Sequence, residues 1–178
     1  SAMLYPAAAP TAGDDEPTYL YFTYGSLKRG FPNHAGHTEA LGQYVGQART
    51  RQAMPLIVQK EAACSNGNCP YLHRMATLVD LKGRGVPVEG EVYRVTEAGL
   101  RALDALEGYR GQGAPDNVYL RKKIAVVVSG EVQHAFAYVI ADPAPHLAAL
   151  EDGSSETVPV YTLDMAQGEL KPGYQPAQ

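Results

Sequence analysis

The chain has no tryptophan, only two cysteines, no apolar run near the roughly 20 residues that a bilayer-spanning helix needs, and no cluster of basic residues. The short apolar runs exclude a membrane-spanning helix, and no positively charged segment precedes an apolar signal core. A formal net charge of −4, with its 15 Lys and Arg scattered, leaves no electrostatic footprint for nucleic acid. Cys64 and Cys69 flank the turn-forming stretch Ser65-Asn66-Gly67-Asn68, which suits a local disulfide in an oxidising compartment and, equally, two free thiols. A zinc site would need a second ligand pair, and no Cys/His pair follows at finger-like spacing, so no metal site is expected.

What is present is ordinary globular material: 178 residues, 45% hydrophobic and 19% charged, enough for one substantial core. The partner to expect is a small molecule, with no nucleic acid and no membrane, and the state a monomer or homodimer. A cytoplasmic location is expected, with a secreted or periplasmic one left open. Residues 1–17 read as a flexible Ala, Pro and Gly-rich arm opening on a cloning remnant, Ser1-Ala2-Met3. Residues 18–142 form the domain, and 143–178 an extension that packs on it or trails from it.

Within the domain, residues 19–24 are aromatic and β-prone and stop at Gly25, the pattern of a buried first strand that ends in a turn. Residues 26–41 suit a loop with a helical piece near 37–41. Strands are expected over 42–50, 54–59, 71–81 and 88–95. At 96–106 the period changes. Thr96 is a fair N-cap, and Leu100, Leu103 and Leu106 recur on one helical face turned to the core, with Gly108 beyond the end. Strands over 119–129 and 132–140 are joined at Ser129-Gly130-Glu131, a hairpin by composition. After Asp142 an edge strand over 158–161 and otherwise tail are expected. Many strands with one clear helix imply an α+β or barrel-like class, a mixed or antiparallel sheet closed or strongly curved with helices beside it.

Three places in this order can carry chemistry. Tyr24-Gly25-Ser26-Leu27 is a tight turn after a buried strand. Its glycine permits close backbone approach, and its successive N–H groups can form a nest for a carboxylate or an oxyanion. Glu107 follows the last helical turn, where partial burial and the macrodipole would both raise its pKa toward that of a neutral-pH acid/base. Tyr119 and Arg121 share one side of a strand and can face a pocket together, as can Glu91 and Tyr93. Each feature also has a bland reading, as a common turn, a solvated helix-end glutamate or surface strand residues. The five histidines are dispersed, and Ser26 lacks a nucleophile-elbow pattern.

Taken in order, these stretches resemble the γ-glutamylamine cyclotransferases and the wider γ-glutamylcyclotransferase-like group. Phe22 to Gly30 is similar to their amino-terminal turn motif, Val88 to Val95 to their Gly-Glu-Val-Tyr strand, and Leu103 to Gly108 with Tyr119-Leu120-Arg121 to two further elements. The resemblance spans about residues 19–140. It implies a small β-barrel with flanking helices and cleavage of a γ-glutamyl amide to 5-oxoproline and an amine without a cofactor. It further implies Glu107 as acid/base and substrate contacts from Tyr24, Gly25, Ser26 and Leu27, with Tyr119 and Arg121 beside them. Relatives specific for glutathione commonly carry a tryptophan after the turn. Here Lys28-Arg29 stands in that place, which favours the γ-glutamylamine branch. The Cys64–Cys69 segment, residues 109–117 and the chain after Asp142 depart from a compact member and can line the leaving-group side. A catalytically silent binding module of the same fold, and an enzyme that deprotects a γ-glutamylated biosynthetic intermediate, are the competing readings.

Overall fold

The computed structural model describes residues 16–64, 71–170 and 173. Its strands are β1 (Thr18–Thr23), β2 (Gln43–Thr50), β3 (Leu56–Gln59), β4 (Tyr71–Leu72), β5 (Ala76–Leu78), β6 (Glu89–Thr96), β7 (Tyr119–Val128), β8 (Glu131–Ile140), β9 (Ser155–Thr157) and β10 (Glu169–Leu170). A single 3₁₀ turn (Ala35–His37) leads into α1 (Thr38–Leu41), followed later by α2 (Glu97–Leu106), α3 (Ala144–Glu151) and α4 (Leu163–Ala166).

Five strands close into a barrel in the order β1-β6-β2-β7-β8, antiparallel throughout except where β8 meets β1 in parallel, Phe136 opposite Tyr21. Closure leaves these strands no unpaired edge. The β7–β8 register is set by a two-residue turn in which Ser129 (φ 52°) and Gly130 (φ 76°) are both left-handed, the twist that suits a hairpin. Counting back from Val128 opposite Glu131 brings Arg121 opposite Tyr138.

Period-two alternation separates two apolar surfaces. Phe22, Val92, Val126, Ala135 and Ala137 fill the barrel. Gly90 is required by that filling, since a Cβ there would lie 2.7 Å from the Phe22 ring. On the outer face, Tyr21, Tyr93, Val95 and Tyr138 pack under α1 and α2 through Leu41, Leu100 and Leu103. The expected α+β barrel with flanking helices is therefore the architecture found.

Four expectations are corrected. The single strand over 71–81 is two short pieces, β4 and β5, because Arg74 turns its guanidinium to the Gln59 carbonyl and to Glu156 between them. The edge strand lies at β9, which pairs with β3, and not at 158–161, where Pro159 lacks the N–H a ladder needs. The chain between Asp142 and Leu170 is no tail: α3, β9 and α4 fold back, and Val158, Tyr161 and Ala166 join the main core. Leu106, the last residue of α2, is 46% exposed rather than in the core, which takes Leu100 and Leu103.

Among the described residues no helix is long and apolar enough to cross a membrane. The arm reading for residues 1–15 and the Cys64–Cys69 pairing, which depends on Cys69, fall outside the described residues.

Candidate active site

Helix α2 places Glu107. Thr96 Oγ1 accepts from the Gly99 N–H at 3.1 Å to cap the start. At the end, Tyr109 N–H donates to the Asp104 carbonyl (2.9 Å) and Gly108 N–H to that of Ala105 (3.3 Å), the paired bonds of a Schellman turn. Gly108 sits at φ 64°, left-handed as the C′ position demands. Glu107 is thus the capping residue, and the chain turns away immediately after it.

Its carboxyl is pushed up to about 7 by burial, against a small opposing pull from His37. The macrodipole is not among the principal causes; loss of water is. Such a group is divided between acid and base near neutral pH.

The turn after β1 supplies the opposite character. Lys28 N–H donates to the Gly25 carbonyl and Asn33 N–H to that of Ser26, both at 3.2 Å, and Asn33 Nδ2 donates to Ser26 Oγ at 2.8 Å. These bonds close residues 25–33 into a compact loop and use carbonyls and side chains. No protein acceptor among the described residues takes the N–H groups of Gly25, Ser26 or Leu27. Nothing lies within 4 Å of where a Cβ on Gly25 would stand, so the space before this backbone is open. The barrel holds the loop from behind through Glu91. Its carboxylate, 3% exposed as a residue, accepts from Arg29 N–H at 2.8 Å and from Tyr93 Oη at 2.9 Å.

Turn and helix end meet at a cavity of about 410 Å³ whose lining includes Tyr24, Gly25, Ser26, Leu27, Glu107 and Tyr119. Six of the seven residues that the resemblance implies are therefore brought together, while Glu91 and Tyr93 bond to each other behind the turn and are not in the lining. Tyr21 and Tyr138 add two further phenols. Burial pushes the hydroxyls of Tyr21, Tyr24 and Tyr119 up, with the negative charge of Glu107 adding to it, so they are neutral hydrogen-bond donors at physiological pH. Tyr24 Oη donates to the Tyr138 carbonyl at 2.7 Å, which fixes that ring across the cavity.

Arg121 is not in the lining. Its Nη1 binds Asp104 Oδ2 at 2.6 Å, and its guanidinium lies over the rings of Phe136 (4.8 Å) and Tyr109 (5.3 Å). Asp104 Oδ1 also accepts from Tyr138 Oη at 2.7 Å. Asp104 is one turn before Glu107, so this tie clamps the end of α2 onto β7 and β8.

The far wall comes from outside the barrel: His73, Met75 and Ala76 around β5, then Tyr161 and Ala166 from the returning chain. Sequence reasoning missed these residues and also Tyr21 and Tyr138. The barrel tyrosines had a usable signal, because the Ser129-Gly130 turn fixes Tyr138 opposite Arg121 and alternation puts Tyr21 on the Thr23 side of β1. The far wall had none, since nothing in a Pro and Gly-rich segment says where it returns.

The sequence and structure comparisons agree with this geometry. The family described as gamma-glutamyl cyclotransferase, AIG2-like, matches residues 21–159. The chain is 34% identical over 160 residues to the gamma-glutamylaminecyclotransferase of Bos taurus, covering 83% of this chain and 84% of that one. The Mus musculus protein of the same name is 32% identical over 135 residues, covering 70% and 79%. The crystal structure of an aig2-like protein from Mus musculus superposes with a TM-score of 0.61 at 28% identity, covering 82% of this chain and 88% of that one. A family match across most of the chain, on a barrel with the expected turn and helix end, makes this protein a member of the gamma-glutamyl cyclotransferase, AIG2-like family.

Proposed function

We propose that the protein converts a γ-glutamyl amide into 5-oxoproline and a free amine, with Glu107 as the acid/base. The observation that carries this reading is one buried carboxyl, pushed up to about 7, in a single cavity with three backbone N–H groups that have no protein acceptor among the described residues. A pocket that only held an anionic ligand would gain nothing from a second negative charge beside it.

In the proposed reaction Glu107 takes a proton from the substrate's α-ammonium group. The freed amine attacks the γ-carbonyl carbon, and the carbonyl electron pair moves onto oxygen, where the N–H groups of the turn stabilise it. Collapse of that intermediate breaks the original C–N bond as Glu107 returns its proton to the departing nitrogen, and the ring nitrogen, cationic after its attack, gives its second proton to the Glu107 carboxylate so freed, which leaves neutral 5-oxoproline and passes that proton to solvent. Nucleophile and electrophile share one molecule, so holding the substrate folded supplies much of the acceleration as effective molarity. Neutral phenols of Tyr21, Tyr24 and Tyr119 surround the glutamate without competing for its charge.

The test is release of 5-oxoproline from γ-glutamyl-ε-lysine, glutathione and a γ-glutamyl amino acid, with the wild type beside Glu107→Gln. Release that depends on Glu107 supports the reading and ranks the leaving groups. No release from any of them would favour a binding module or a dedicated biosynthetic deprotection.

A further inference from the structure

The family match stops at residue 159, yet Tyr161 and Ala166 line the cavity opposite the barrel. This stretch is firmly held. The Tyr161 carbonyl accepts from Lys28 Nζ at 2.5 Å, its hydroxyl donates to the Arg74 carbonyl at 2.8 Å, and its ring lies 6.0 Å from that of Phe31. Arg74 N–H donates to the Met165 carbonyl at 3.1 Å, which draws α4 onto the same wall. One tyrosine thereby joins the loop after β1, the chain before β5 and the returning segment.

The chemistry of the wall is selective. Met75, Ala76, Ala166 and the exposed Leu106 offer apolar surface beside the Tyr161 ring and the His73 imidazole. The cations nearby are engaged elsewhere: Lys28 is 6% exposed beneath Tyr161, and Arg74 is bound to the Gln59 carbonyl and Glu156. No lysine or arginine is among the described lining residues, and their one carboxylate, Glu107, would repel another. A leaving amine with a free carboxylate would lose water there and find, among the described residues of this wall, the His73 imidazole and no lysine or arginine, whereas an alkyl chain would lose only unfavourable hydration.

Resting on the cyclotransferase reading above, we propose that Met75, Ala76, Tyr161 and Ala166 form the leaving-amine subsite and that it selects γ-glutamyl amides of uncharged, apolar amines. The experiment measures kcat/KM for 5-oxoproline release from γ-glutamyl methylamide, γ-glutamyl n-hexylamide, γ-glutamyl-6-aminohexanoate and γ-glutamyl-ε-lysine. The hexylamide is expected to exceed the methylamide by about fourfold for each methylene that is buried. It should exceed the carboxylate-bearing analogue by roughly tenfold or more, the scale of an unpaired polar group. Met75 is 38% exposed, so Met75→Lys should fold, and it should shrink the hexylamide-to-carboxylate ratio at least about fivefold by adding a cation to the wall. Turnover of all four substrates at similar rates, or a ratio that Met75→Lys does not move, would overturn the subsite and leave the reaction standing. Failure to release 5-oxoproline from any of the four would overturn both.

Discussion

The two walls of the cavity are held by different kinds of contact. The barrel wall, with Glu107, Tyr24 and Tyr119, rests on ladders between long neighbouring strands and on a clamp of Asp104, Arg121 and Tyr138 at the end of α2. The opposite wall has no long strand. Beyond the short ladder of β5 on β3, it hangs on single bonds, among them Tyr161 to Arg74 and Lys28 to Tyr161, between segments 87 and 133 residues apart. A ladder fixes many backbone atoms at once and tolerates the loss of one side chain. A wall made of single ties can change its lining while the reacting groups keep their places. On the proposed reading this divides the labour, chemistry on the rigid side and choice of amine on the other.

The sharpest way to break that comparison is on the chemical side. Glu107→Gln should keep the fold and substrate affinity and lower kcat by at least about 100-fold, the usual size of a lost acid/base. The wild-type kcat/KM should rise with pH through about 7 as Glu107 ionises, and this limb should vanish in the variant. A rate near wild type in Glu107→Gln would remove the mechanism. Gly25→Val comes next. A Cβ at Gly25 has nothing within 4 Å beyond its chain neighbours, so melting should be little changed while KM rises roughly tenfold or more from blocked approach to the N–H groups. Unaltered KM would show that ligands do not sit on this backbone.

Stability against pH tests the same carboxyl without substrate. A carboxyl raised from 4.5 to about 7 binds its proton more tightly folded than unfolded. Its contribution is fully present below 4.5 and lost as pH rises through about 7, a span worth about 3 kcal/mol. Denaturant titrations of wild type and Glu107→Gln across that window should diverge by this amount, and parallel curves would mean that Glu107 is well hydrated. The clamp should give a smaller effect on rate. Asp104→Asn and Arg121→Met each remove one partner of a half-buried, charge-assisted bond, for a loss of about 2 kcal/mol in stability. If the clamp acts by positioning Glu107, kcat should fall severalfold with KM little changed, and the double variant should cost no more than the worse single one. Additive losses, or a rise in KM alone, would instead make Arg121 a substrate contact, as its place beside Tyr119 in the sequence suggests.

The same contrast explains how much was legible in the sequence. The barrel strands, α2 with its Thr96 cap, and the meeting of the 24–27 turn with Glu107 follow from alternation, helical period and capping, all of which act within a few residues. Arg121 was placed on the correct strand, but alternation gives a side and not a partner, and Asp104 one helix away claims its charge. The break between β4 and β5, the helix α3 and the returning segment were not legible. What holds the first and last of these is an arginine, a lysine and a tyrosine bonded to backbone carbonyls 15, 133 and 87 residues away, and a carbonyl acceptor leaves no mark on residue type.

Tyr161→Phe tests the lighter wall with the least perturbation. It keeps the ring against Phe31 and the carbonyl that receives Lys28, and deletes only the bond to the Arg74 carbonyl. The cost in stability should be about 1 kcal/mol. Because Arg74 also carries the Met165 carbonyl, loosening it should shift α4 and change the ranking of leaving amines more than it changes the rate on γ-glutamyl methylamide. A uniform fall across all amides would mean that Tyr161 supports the whole site and that the two walls are one mechanical unit. A change in ranking alone would show that the amine side can vary while the glutamate and the turn stay in register.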